Sequence, residues 1–178
     1  METGIALLSE QGWSGLTARA LAERAGANPG LIHYHFGGLP GLHAEIYRRA
    51  VELLVSPLIE ELLGAGDERA ALATIRGLLP YTTGDEPSSR LAVELISGAV
   101  RDPALGVVLR DELRQARMQV ADRLSLLHPG WSPAQAIGTA TLIVAAIDGL
   151  ILHHLVDGEL AVDEAMAVVE RLLPEEEA

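Results

Sequence analysis

Residues 22–36 read AERAGANPGLIHYHF. A run of small residues, an Ala-Gly break and an Asn-Pro restart are followed at once by three hydrogen-bonding rings, His33, Tyr34 and His35. Three such residues in succession cannot all face inward on one short helix, because neighbouring side chains point in different directions. Gly26 breaks the preceding helix. Asn28 suits an N-cap and Pro29 a first helical residue, since proline lacks only an N–H that would go unused there. Ile32 and Phe36, four apart, are the expected buried pair, which turns His33 and Tyr34 outward.

Upstream, Thr17 can cap the stretch TARALAERA, with Ala18, Leu21, Ala22 and Ala25 as its inward stripe. Ile5, Leu8 and Gly12-Trp13 predict a first helix from about Glu2 to Gln11, ended by Gly12 in a left-handed conformation. Two short helices joined by a glycine turn form a helix-turn-helix, here over about 18–37, whose second helix enters a DNA major groove. The start of that helix is expected to offer free N–H groups to phosphate. A buried helical hairpin is the rival reading, and the ring triplet argues against it. A metal site at His33 and His35 is not expected, because residues two apart on a helix do not face each other.

Composition limits the remaining possibilities. The chain has no cysteine and no lysine, and its net charge is −12. Residues 1–49 hold four Arg and four acids, so the whole negative balance falls in 50–178. That leaves the first segment tolerable beside phosphate. No period-2 alternation between turn signals occurs, so the whole chain is expected to be helical, with about nine helices. No secretory leader is apparent, which makes a cytoplasmic location the expectation. The apolar run 140–156 carries Asp148, His153 and His154 and reads as a buried core helix rather than a membrane span. No Gly-rich phosphate loop, HExxH, GxSxG, cysteine nucleophile or Glu-x-x-His pair occurs, so neither an enzyme nor a cofactor is expected.

After the motif, glycine and proline punctuation predicts helices at about 40–63, 67–80, 87–101, 104–128, 132–156 and 162–173. The 132–156 helix is apolar nearly all round, which calls for burial on more than one side. Gly138, Leu142, Ala145, Gly149 and Leu152 form a stripe suited to a second copy of the chain, with Ala165, Val168, Val169 and Leu172 added by the last helix. Ile137, Thr141, Val144, Asp148, Ile151 and Leu155 are expected to pack on the chain's own body. Two helices from each protomer would build a four-helix homodimer interface about a twofold axis.

The stretch GIALLSEQGWSGLTARALAERAGANPGLIHYHF resembles the tetracycline-repressor (TetR) type of transcriptional regulator. The shared pattern is an apolar helix, Gly-aromatic, Thr, a small-residue helix ending Ala-Gly, and a short helix ending in an aromatic, His and Phe. It covers residues 4–42, and an Asp148-Gly149-Leu150 pattern fits the penultimate helix. The resemblance implies an all-α fold with a DNA-binding head over 1–45 and a ligand-binding and dimerisation body over 46–178. It implies DNA contact at Thr17, Arg19, Asn28, Pro29, Gly30, His33, Tyr34 and His35. It also implies a small-molecule effector that alters the spacing of two heads on a palindromic operator, with the 40–63 helix joining pocket to head. Arg90, Arg114, Arg117 and Met118 lie on plausible pocket helices, and Asp148, the one acid in its apolar run, could meet a ligand cation or hydroxyl. Leu31 and Leu39 stand where the family usually has Thr and Lys, and the chain opens almost inside its first helix rather than on a basic arm. Fewer phosphate contacts imply a shallower salt dependence. The alternative is a helical ligand-binding or interaction protein with a weakly DNA-binding head.

Overall fold

A computed structural model describes residues 1–84 and 86–172; of these, the side chains of 78–84, 86, 155 and 172 are outside the description. Among the described residues every regular element is a helix: α1 (Glu2–Gly15), α2 (Ala18–Ala25), α3 (Gly30–Phe36), α4 (Leu39–Gly64), α5 (Glu68–Gly84), α6 (Glu86–Arg101), α7 (Pro103–Leu127), α8 (Pro133–Val156) and α9 (Val162–Leu172). The all-α expectation holds. The first helix departs from expectation at its end. Gly12 leaves helical geometry (φ 68°, ψ −174°), a region open in practice only to glycine, but helical turns resume and continue to Gly15.

The chain forms two compact units, Met1–Ser56 with Asp85–Leu113, and Pro57–Gly84 with Arg114–Ala178. In the first, α1 to α4 close over a core of Leu7, Leu8, Leu16, Ile32, Leu42, Ile46 and Tyr47. That core is completed by α6 through Leu91 and Leu95. Three polar contacts fix α6: the Ser9 hydroxyl donates to the Pro87 carbonyl (2.7 Å), the Trp13 indole N–H to the Glu94 carbonyl (2.9 Å), and the Tyr47 hydroxyl to the Leu95 carbonyl (2.8 Å). The Trp13 and Tyr47 rings stack with centroids 6.0 Å apart. Tyr47 has no exposed surface, and burial pushes its phenol up to about 12.

In the second unit α5 packs against α8 and α9. A capping box starts α8: the Ser132 hydroxyl accepts the Gln135 N–H, and Gln135 Oε1 accepts the Ser132 N–H. The buried stripe of α8 is Ala136, Ala140, Val144 and Ile147. This corrects the expected inward stripe. Val144 is buried, but Ile137 (58% exposed), Thr141 and Asp148 are exposed, and the Leu155 side chain lies outside the described residues. On a helix that is apolar nearly all round, hydropathy does not mark the packing face, and the buried row is the one at spacings of four, four and three through Ala136, Ala140, Val144 and Ile147. The helix is therefore not buried all round. Residues 133–154 have a mean hydropathy, over their most apolar window, sufficient for a membrane span by length and composition, and much of that apolar surface is open in the single chain.

Candidate nucleic-acid interface

The two ends of α2 are built as the sequence implies. Thr17 caps α2, its hydroxyl oxygen accepting the Ala20 N–H at 3.1 Å, and Gly26 ends the helix in the left-handed region (φ 60°, ψ 31°). Ala22 of α2 and Ile32 of α3 are buried, and Phe36 is half-buried and packs with Ile32 on the core of the first unit. Ala25, expected in the inward stripe, is exposed. It is the last residue of α2, where the chain already turns away from the core. Thr17, Arg19, Asn28, Pro29, Gly30, His33, Tyr34 and His35 are all exposed, and Tyr34 reaches 82%. The rings of Tyr34 and His35 meet edge to face at 5.0 Å.

The start of α3 differs from expectation in its hydrogen bonds. Pro29 takes the cap position with helical angles (φ −53°, ψ −29°), while Asn28 accepts the Gly30 N–H on its side chain at 2.9 Å. Leu31 donates to the Asn28 carbonyl (3.0 Å) and Ile32 to the Pro29 carbonyl (3.1 Å). Those amides are engaged within the protein, which corrects the expectation of free N–H groups for phosphate.

The cations of the head are also largely engaged. Arg24 makes a two-pronged pair with Glu10 at 2.5 and 2.7 Å, and this hydrogen bonding lowers the Glu10 carboxyl below its usual range. Arg48 pairs with Glu45, and Arg49 with Glu52 at 2.8 Å. Within residues 1–49, all of them described, Arg19 alone has no ion pair. The Glu10–Arg24 pair spans 14 residues and two helices, and no sequence periodicity marks it. Leu39 and Leu31 part company here. Leu39 packs against the core, whereas Leu31, on α3, is 49% exposed.

The candidate effector residues fall in different places. Arg90 is on α6 in the first unit, whereas Arg114, Arg117, Met118 and Asp148 belong to the second. Met118 is exposed. Desolvation by its neighbours raises the Asp148 carboxyl above its usual range, and the nearby charge of Arg117 opposes that rise. An open cleft of about 400 Å³ in the second unit is lined by Pro57, Glu60, Glu61, Gly64, Ala65 and Thr74, and none of the candidates lines it. Beside it, Arg123 donates to the Ala65 carbonyl at 2.7 Å. Trp131, expected to anchor its loop, stacks on His128 with centroids 4.0 Å apart, and His128 also meets Glu68. On α8, Gly138, Leu142 (71%), Ala145 and Leu152 are exposed and Gly149 is half-buried; Val169 of α9 is exposed, and the Leu172 side chain lies outside the described residues. Among the described residues no group of three potential metal ligands converges.

Known proteins supply an independent line. Residues 1–45 match the profile of bacterial regulatory proteins of the tetR family, and residues 67–176 that of the C-terminal part of BetI-type transcriptional repressors. A comparison with curated proteins finds no match. Among solved structures, the chain is similar to a transcriptional regulator, SCO7518 of Streptomyces coelicolor A3(2), with 25% identity, a TM-score of 0.78, and coverage of 98% of this chain and 95% of that one. It is also similar to the multidrug binding protein EbrR, seen in complex with proflavin, with 26% identity, a TM-score of 0.71 and coverage of 97% and 96%. The regulator RHA1_ro04179 of Rhodococcus sp. Rha1 shares 27% identity at a TM-score of 0.64, over 89% of this chain and 83% of that one. The chain thus belongs to the tetR family of bacterial regulatory proteins, and its C-terminal part is of the BetI-type repressor kind.

Proposed function

We propose that this regulator is a cytoplasmic homodimeric repressor, without enzymatic activity, that sets two copies of α3 into a palindromic DNA operator and is released by a small molecule. Residues 1–45 form the DNA-binding segment and 46–178 the ligand-binding and dimerisation part. One observation carries the reading: the exposed face of α3, where His33, Tyr34 and His35 stand clear of a helix anchored by buried Ile32. Around it, Thr17, Arg19, Asn28, Pro29 and Gly30 are placed to position the backbone. The likeness to EbrR with bound proflavin supports a small-molecule effector, with Arg114, Arg117, Met118 and Asp148 as candidate contacts.

The test is a DNA-binding titration of wild type, His33→Ala and Tyr34→Ala on fragments retained from the source genome. A single hydrogen bond is worth about 0.5–1.5 kcal/mol, and a dimer loses one per half-site, so affinity should fall about fivefold or more with no change in thermal unfolding. Unchanged affinity in both variants would remove α3 as the reading element. One Arg19–phosphate contact per head corresponds to a salt slope of about −2 for a dimer, at roughly −0.9 per contact. The engaged arginines also favour a second reading, a head that binds DNA weakly, for which no fragment would be retained even at low salt.

The dimer face has its own test. A Cβ at Gly149 or Gly138 meets nothing within 4 Å in the single chain. Gly149→Leu should therefore leave the protomer folded while blocking close approach of a second α8. Light scattering should report a monomer or a weakened dimer, and a clean dimer at micromolar concentration would refute the assigned face.

A further inference from the structure

We infer that Leu31 reads the C5-methyl group of thymine, so that each operator half-site carries a thymine recognised by apolar contact rather than by hydrogen bonding. The inference rests on the DNA-binding reading and names what the reading helix selects.

The composition of α3 restricts how it can read bases. Its residues are Gly-Leu-Ile-His-Tyr-His-Phe over 30–36. None of them can make the two-pronged hydrogen bonds by which Arg or Lys selects guanine and Asn or Gln selects adenine. His33, Tyr34 and His35 offer single donors or acceptors, which discriminate bases poorly by themselves. The one apolar feature displayed in the major groove is the thymine methyl, and apolar side chains contact it.

Leu31 is placed for that contact. It sits in the first turn of α3, the part of a recognition helix that meets base edges. It is 49% exposed, although the neighbouring leucine of the same region, Leu39, packs against the core. Leu31 and Tyr34, three apart, share one face, so the exposed leucine lies beside the 82% exposed ring and away from buried Ile32. Its backbone N–H is engaged with the Asn28 carbonyl at 3.0 Å, which fixes the position of its Cα. Leu31 is not among the hydrophobic residues packed against the core of the first unit.

The experiment uses the full chain and an operator recovered by enrichment. Each thymine is replaced in turn by deoxyuridine, which deletes the methyl and leaves every hydrogen-bonding group in place. Removing one methyl from a buried contact corresponds to about a fourfold loss of affinity, and the symmetric double replacement to about fifteenfold. We expect one position per half-site to show that loss with wild type and no loss with Leu31→Ala. Uniform tolerance of deoxyuridine would overturn the inference while leaving DNA reading intact, as would a loss of equal size in Leu31→Ala, which would assign the methyl to another residue. Failure to recover any operator would overturn both this inference and the DNA-binding reading.

Discussion

Gly41→Val will destabilise the first unit by about 3 kcal/mol or more and abolish DNA retention. Gly41 lies in the first turn of α4, directly after the Gly37-Gly38 bend that ends α3. A Cβ there would lie 1.9 Å from the Phe36 carbonyl oxygen and 3.0 Å from its carbon. The obstacle is main chain, so no rotamer change relieves it, and α3 and α4 must part. Overpacking a well-filled site costs typically about 1–3 kcal/mol where side chains can yield, and a backbone clash belongs at or above the top of that range. Against a total stability of about 5–15 kcal/mol, this is a large fraction. Urea unfolding measures it, with Gly77→Ala as the control. A Cβ at Gly77 meets nothing within 4 Å, so that variant should be neutral or stabilised by up to about 1 kcal/mol. An unchanged midpoint for Gly41→Val would show that α3 and α4 do not approach as described.

Tyr47→Ala should cost about 3–5 kcal/mol, the range for deleting a buried aromatic side chain. The ring is fully buried between α4, Trp13 and α6. Tyr47→Phe keeps the ring and removes the hydrogen bond to the Leu95 carbonyl, for a loss of about 1 kcal/mol. The two variants also separate by pH. Burial raises the Tyr47 phenol from its ordinary value near 10 to about 12. The folded state therefore holds this proton more tightly than the unfolded chain. The corresponding stability is fully present below pH 10 and declines as pH rises through 10 towards 12. Wild type should lose stability across that window, and Tyr47→Phe should lose less. Parallel pH curves for the two proteins would place the phenol outside the core.

What the sequence shows and what it hides follow from how far apart the partners lie. Gly26, Asn28-Pro29 and Gly37 are local signals, each acting on its own few residues, so α2 and α3 fall within a residue or two of where their caps predict. The Ile32 anchor and the outward rings follow from helical spacing alone. Contacts between elements were not legible. The packing of α6 on α1 and α4 joins residues 48 to 81 positions apart, through Tyr47–Leu95 and Trp13–Glu94, and nothing periodic announces it. The pairing of Arg24 with Glu10, across α1 and α2, is hidden for the same reason. On α8 the apolar residues surround the helix, so hydropathy could not select the buried stripe of Ala136, Ala140, Val144 and Ile147, which is set by packing against other elements such as α5.

The most direct measurement is selection of DNA by the purified chain from fragments of its source genome at moderate salt, followed by sequencing of what is retained. The account predicts a palindrome whose half-sites lie about 10–10.5 base pairs, or a multiple of that, apart, as two reading helices about 34–36 Å apart require. Retention lost on Tyr34→Ala would tie that palindrome to α3. Retention of DNA without any shared sequence, or of none at any salt concentration, would contradict the claim that this chain reads an operator.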